Sequence, residues 1–101
     1  MLNTRINLPL GSIRAYCRTH PILRLSVFGS ALRDDFTPES DLDLLVEFAP
    51  DARITYFDMH EMQQALANMI GHKVDLRTPQ ELSPYFVDDV RARAELIYER
   101  Q

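Results

Sequence analysis

The sequence predicts an α+β fold, a two-layer domain with a small mixed β-sheet of about three strands and helices packed mainly on one face. Two observations set the elements and a third sets their directions. The runs "ILRLSVF" (22–28), "LDLLVEF" (42–48) and "KVDLR" (73–77) are short, rich in branched or alternating apolar residues, and bounded by Pro, Gly or polar residues, as strands are. Between and around them lie stretches whose apolar residues recur at helical spacing. The connections differ in length. The 24 residues from 49 to 72 are enough for a helical crossover, which makes strands two and three parallel. The 12 residues from Gly29 to Ser40 are tight for a crossover, which makes strands one and two antiparallel.

Taken in order, "LGSIRAYCRT" (10–19) forms a short helix, with Ile13, Tyr16 and Cys17 as its apolar stripe and Pro21 ending it. Strand one follows at 22–28. "SALRDD" after Gly29 has helix-forming residues for one or two turns, stopped before Pro38. In strand two, Leu42, Leu44, Val46 and Phe48 alternate onto one face, and Pro50 closes it. Residues 56–70 make the best helix: Met59, Met62, Leu66, Met69 and Ile70 share a face, and Gly71 sits where a C-terminal cap wants positive φ. Strand three is 73–77. "SPYFVDDVRARAELIYE" reads as a last helix, with Ser83 as N-cap, Pro84 at its first position, and Val87, Val90, Ala94, Ile97 and Tyr98 as its core stripe.

The chain of 101 residues fits one domain, 1–101, and its 46% hydrophobic content supports a packed core. No apolar run approaches a membrane span, and "MLNTRINLPLGS" lacks the pattern of a secretory signal. Cys17 is the single cysteine, so no internal disulfide forms, which agrees with a cytoplasmic protein. A net charge of −4 with no basic stripe argues against direct nucleic-acid binding.

The chemistry concentrates in "VFGSALRDDFTPESDLDLLVEF" (27–48). Asp41 and Asp43, two residues apart at the head of strand two, leave the same face with Cα atoms about 6.5–7 Å apart. Two like charges so placed need something positive between them. Mg²⁺ fits, because it takes one or two carboxylates and completes its shell with substrate phosphate and water; two aspartates can share two such ions. Asp75 lies within strand three, with Val74 and Leu76 directed to the opposite face, and can come level with Asp41 or Asp43 on a parallel neighbour. Metal coordination or activation of an attacking hydroxyl would explain it. Gly29 lets the backbone approach a ligand. Ser30 can cap the short helix whose free N–H groups favour phosphate. Arg33, one turn on, can reach the phosphates or hold the loop, and Ser40 precedes the first aspartate.

Gly-Ser followed ten residues later by Asp-x-Asp resembles the signature of the DNA polymerase β-like nucleotidyltransferase superfamily. "FGSALR…SDLDLLVEF" is most similar to its minimal nucleotidyltransferase (MNT) group, and the resemblance extends to "KVDLR". Asp34 stands where that group often has glycine, and Leu32 where it usually has alanine. The resemblance implies that Gly29 and Ser30 bind the phosphates of the nucleotide, and Arg33 and Ser40 join them as nucleotide-binding candidates. It implies that Asp41, Asp43 and Asp75 are both catalytic and metal-binding, with two Mg²⁺ ions and ATP as donor. It also implies a partner. A second lobe like that of larger transferases is not expected here, and the group's members are typically antitoxins paired with a helical HEPN-type toxin. There the antitoxin transfers AMP from ATP to a toxin tyrosine, so a hetero-oligomer is expected. The alternative is a binding module that keeps the fold and neutralises a toxin by contact with little or no catalysis.

Other candidates carry less. "HEMQQ" at His60 lacks the second histidine of a zinc-protease motif and reads as helix surface. His72 reads as a capping or loop residue, and His20 as a helix end. The methionine stripe reads as core, and Cys17 as buried and inert. Tyr56, Phe57, Tyr85 and Phe86 pack, stack on a base or meet a partner. Arg91 and Arg93 read as a solvated helix face.

Overall fold

A computed structural model describes residues 8–32, 36–37 and 39–100. Helix α1 (Leu10–Arg18) leads into β1 (Ile22–Phe28). A 3-10 turn (Gly29–Leu32) and a loop carry the chain to β2 (Leu42–Phe48). Helix α2 (Tyr56–Ile70) then crosses to β3 (Val74–Arg77), and a second 3-10 turn (Pro79–Glu81) precedes α3 (Val87–Arg93) and β4 (Glu95–Glu99). The sheet runs β3-β2-β1-β4. β1 is antiparallel to both β2 and β4, and β2 is parallel to β3, as the connection lengths require.

The core lies on one sheet face. Leu42, Leu44 and Val46 of β2, with Leu25 and Val27 of β1, are completely buried there, against Ile13 and Cys17 of α1 and Met62 and Leu66 of α2. Each such side chain contributes about 1.5–3 kcal/mol by leaving water. The alternation places Asp43, Leu45 and Glu47 on the opposite face. In β3, Val74 and Leu76 are buried in the core, so Asp75 and Arg77 also point to that opposite face. α2 is fixed at both ends. Its capping box pairs the Asp58 N–H with Thr55 Oγ1 (3.1 Å) and the Thr55 N–H with Asp58 Oδ2 (2.9 Å). Gly71 closes the helix in the left-handed region at φ 75°. The Gln63 side chain accepts from the Leu76 N–H at 2.9 Å and ties α2 to the edge strand β3.

The C-terminal region corrects the sequence reading. The last helix is only Val87–Arg93, starting after turns at Ser83, and residues 95–99 form a fourth strand beside β1. The stripe Val87, Val90, Ala94, Ile97, Tyr98 has helical spacing, but without β4 the backbone of β1 would present unpaired N–H and C=O groups at a sheet edge. Sheet pairing outweighs local helical preference here. The register places Leu25 opposite Tyr98 and Ser26 opposite Leu96, which leaves Ile97 as a bulge. Both Ile97 and Tyr98 are thereby buried, and Arg14 of α1 donates to the Ile97 carbonyl at 2.9 Å. An Arg24–Glu99 ion pair at 2.8 Å crosses the same strands.

Cys17 is buried as expected, and burial pushes its thiol from 9.0 up to about 11, against a smaller opposing pull from Arg18. At pH 8 the reactive thiolate is therefore scarce as well as inaccessible. Iodoacetamide at that pH is expected to label the native protein many times more slowly than the protein in guanidinium. Equal rates in a mass-spectrometric time course would contradict this packing.

Candidate active site

The site begins where β1 ends. Gly29 has φ 74°, a conformation that L side chains rarely adopt. A Cβ at that position would lie 2.3 Å from Oδ2 of Asp43 and 3.1 Å from its Cγ. The register explains the contact, since Phe28 stands opposite Asp43 across the antiparallel pair. The glycine corner and the aspartate are therefore packed against each other, and only a residue without a side chain fits.

Asp75 joins from the other side. It is the direct register partner of Asp43 across the parallel β2–β3 pair, and both lie half-buried on the face opposite the core. Strands are about 4.8 Å apart, so the two carboxylates are neighbours. Asp41 lies one residue before β2, exposed, at the end of a loop rather than within the strand. That loop is pinned. The Ser40 N–H donates to the Thr37 carbonyl at 2.9 Å, and the Thr37 N–H donates to Ser40 Oγ at 3.1 Å. His72 Nε2 bonds the Ser40 carbonyl, and the His72 ring lies 5.3 Å from that of Phe36. The Leu42 N–H donates to the Lys73 carbonyl at 2.8 Å. His72 thus has the loop role read from sequence, and it acts on the segment that presents Asp41. Ser40 serves the turn through its hydroxyl. Ser30 lies in the 3-10 turn with its side chain outside the described set, and Arg33 falls outside the described residues.

Arg77 was not singled out by its sequence context. It follows Asp75 by two residues on the same face, and its Nε lies 3.0 Å from Asp75 Oδ1. The hydrogen bond and charge of Asp75, with smaller contributions from Glu81 and Asp43, hold its guanidinium protonated more firmly than usual. The i, i+2 spacing within strand three was the signal that could have found it.

Among the described residues, no three His, Cys, Asp or Glu side chains gather closely enough to hold an ion by themselves. The donors are hard carboxylate oxygens on two adjacent strands, with Asp41 exposed just ahead of them. The glycine corner keeps side-chain bulk away from Asp43. This set fits Mg²⁺ in the mode in which phosphate oxygens and water complete the shell.

The other candidates lie elsewhere. Arg91 pairs with Glu47 at 3.6 Å and Arg93 with Asp89 at 3.1 Å. His60 is exposed on α2, and the His20 ring stacks on Tyr16 at 4.0 Å. Tyr56, Phe57, Tyr85 and Phe86 are all exposed.

Comparison with known proteins identifies relatives of the chain. The profile of the nucleotidyltransferase domain family matches residues 11–97. A protein of Methanocaldococcus jannaschii, provisionally named a protein adenylyltransferase, is 31% identical over 71 residues, covering 70% of this chain and 74% of that one. Among solved structures, a chain provisionally assigned as a minimal nucleotidyltransferase superposes with a TM-score of 0.70 at 32% identity, over 84% of this chain and 85% of that chain. A toxin–antitoxin structure with AMP-PNP contains a chain that superposes at 0.74 with 21% identity, over 93% and 76%. A complex of the tri-AMPylated Shewanella oneidensis HEPN toxin with its MNT antitoxin gives 0.65 at 19% identity, over 91% and 71%. The last two are similar in fold.

Proposed function

The chain belongs to the nucleotidyltransferase domain family, and from that premise we propose that it is the antitoxin of a HEPN/MNT pair that transfers AMP from ATP to a tyrosine hydroxyl of its partner toxin, releasing pyrophosphate. The observation that carries this reading is the register of Asp43 with Asp75 beside the Gly29 corner. The structural relatives crystallised as toxin–antitoxin assemblies, one with AMP-PNP and one with an AMPylated toxin, support the donor and the partner.

In this reading Asp41 and Asp43 hold the metal-bound triphosphate, and Asp75 faces the acceptor hydroxyl and takes its proton. Bound at these carboxylates, Mg²⁺ would supply charge neutralisation on the phosphates and a lowered pKa for the acceptor hydroxyl. Gly29 keeps the β1 corner clear so that backbone N–H groups can approach the phosphates. His72 fixes the loop that aims Asp41. The partner supplies the acceptor hydroxyl. The exposed aromatics Tyr56, Phe57, Tyr85 and Phe86 offer a contact surface to such a partner.

The test is incubation of the chain with its partner, Mg²⁺ and ATP labelled at the α-phosphate. Label is expected on a partner tyrosine, and Asp41→Asn is expected to remove it. If Asp41→Asn neutralises the toxin as well as the parent does, neutralisation is by contact and the enzymatic reading of the pair fails.

A further inference from the structure

The two neighbouring carboxylates of β2 and β3 pose an electrostatic question that the fold answers with a side chain. Like charges on adjacent strands repel. Arg77 shares their face, and its Nε reaches Asp75 at 3.0 Å. Its register partner is Leu45, next along β2 from Leu44, so the side chain rises from the far side of the Asp43–Asp75 pair. Asp75, Glu81 and Asp43 are the negative groups that act on it. Glu81 is also committed to its own cap, accepting from the Thr78 N–H at 3.0 Å.

We propose that Arg77 is the protein's own counter-cation at the Asp43–Asp75 pair, a positioning residue that an incoming divalent metal must displace from Asp75. The proposal rests on the metal-site reading above. Three features make Arg77 suited to the role. It pairs with Asp75 alone, where a divalent ion takes both carboxylates. Its side chain is 46% exposed, so the ion pair is water-screened and cheap to break. Its stem is long and flexible, so it can leave Asp75 without moving β3. While it is in place it orients Asp75 and occupies its Oδ1 oxygen. Metal without nucleotide therefore has to compete with it.

The experiment measures Mn²⁺ affinity by electron paramagnetic resonance, with and without AMP-PNP, on the parent, Arg77→Gln, Arg77→Lys and Asp43→Asn. Without nucleotide, Arg77→Gln is expected to bind Mn²⁺ about two- to fivefold more tightly than the parent, the ratio that an exposed ion pair can supply. Arg77→Lys keeps the charge and is expected to stay near the parent. Thermal melts should show all four folded. Unchanged or weaker Mn²⁺ binding by Arg77→Gln overturns the proposal. If at the same time the parent binds Mn²⁺ with AMP-PNP through Asp43, the metal-site reading survives alone. If the parent binds none even with AMP-PNP, that reading and this inference fall together.

Discussion

Gly29→Ala is expected to abolish measurable transfer, a loss of at least about 100-fold, while destabilising the fold by only about 1–3 kcal/mol. Two costs coincide at this position. Holding an L-residue at φ 74° costs about 1–2 kcal/mol. The added methyl would also lie 2.3 Å from Asp43 Oδ2, 3.1 Å from its Cγ and 3.4 Å from its Cβ. Asp43 is short and rooted on the central strand β2, so it can yield only by rotating at χ1. That rotation carries its carboxylate off the Gly29 corner, toward the β3 side where its register partner Asp75 stands, and out of the position it holds in the site. The strain is thus relieved by disassembling the site, and activity falls further than stability does. Gly71→Ala is the control. It has nearly the same backbone, at φ 75°, with open space where the Cβ would go. It should cost similar backbone strain and leave transfer within about twofold of the parent. Melting midpoints and rates of label transfer, measured on both variants, separate the two terms. Equal activity in both would mean that contact with Asp43 is irrelevant to the site.

This contrast shows what the sequence can and cannot reveal. Gly29 and Gly71 are alike as letters near the ends of apolar runs, and both were legible as positions wanting freedom at φ. Only the register of β1 against β2 shows that one abuts a carboxylate and the other abuts nothing. Strands one and two are bounded by Pro and Gly, and alternation fixes their faces, so their limits at 22–28 and 42–48 match the structure. Asp75 was legible because Val74 and Leu76 dictate its face. The strand at the end of the predicted helix, residues 95–99, was not legible. Helical spacing from Val87 to Tyr98 is a local signal, whereas the open edge of β1 is created some seventy residues earlier in the chain. Arg77 was obscured for a related reason. An arginine at a strand end is ordinarily solvated, and its meaning depends on the two aspartates that pairing brings beside it.

Asp43→Asn carries the other large effect. Transfer by this variant is expected to fall by about 10²- to 10³-fold, with the melting midpoint close to the parent's. The substitution is nearly isosteric, so packing against the Gly29 corner survives. What changes is charge, at the position where the β1 corner and both neighbouring strands converge. An amide is a poor ligand for a hard divalent ion and offers no negative charge to it. Losing charge stabilisation at a single reacting centre typically costs two to three orders of magnitude in rate. Stability changes little, because the near-isosteric amide keeps the packing and Arg77 already pairs with Asp75 at 3.0 Å. Asp75→Asn should separate from it. That change also weakens metal binding, but it releases Arg77 from its 3.0 Å ion pair and leaves the guanidinium beside Asp43. A cation freed next to Asp43 competes with the metal there, so raising Mn²⁺ should recover part of the transfer lost in Asp75→Asn and little of that lost in Asp43→Asn. Transfer rates over a Mn²⁺ series, with melts recorded in parallel, decide the matter. Should Asp43→Asn keep a tenth of the parent's rate, the strand-two carboxylate is not where the chemistry takes place.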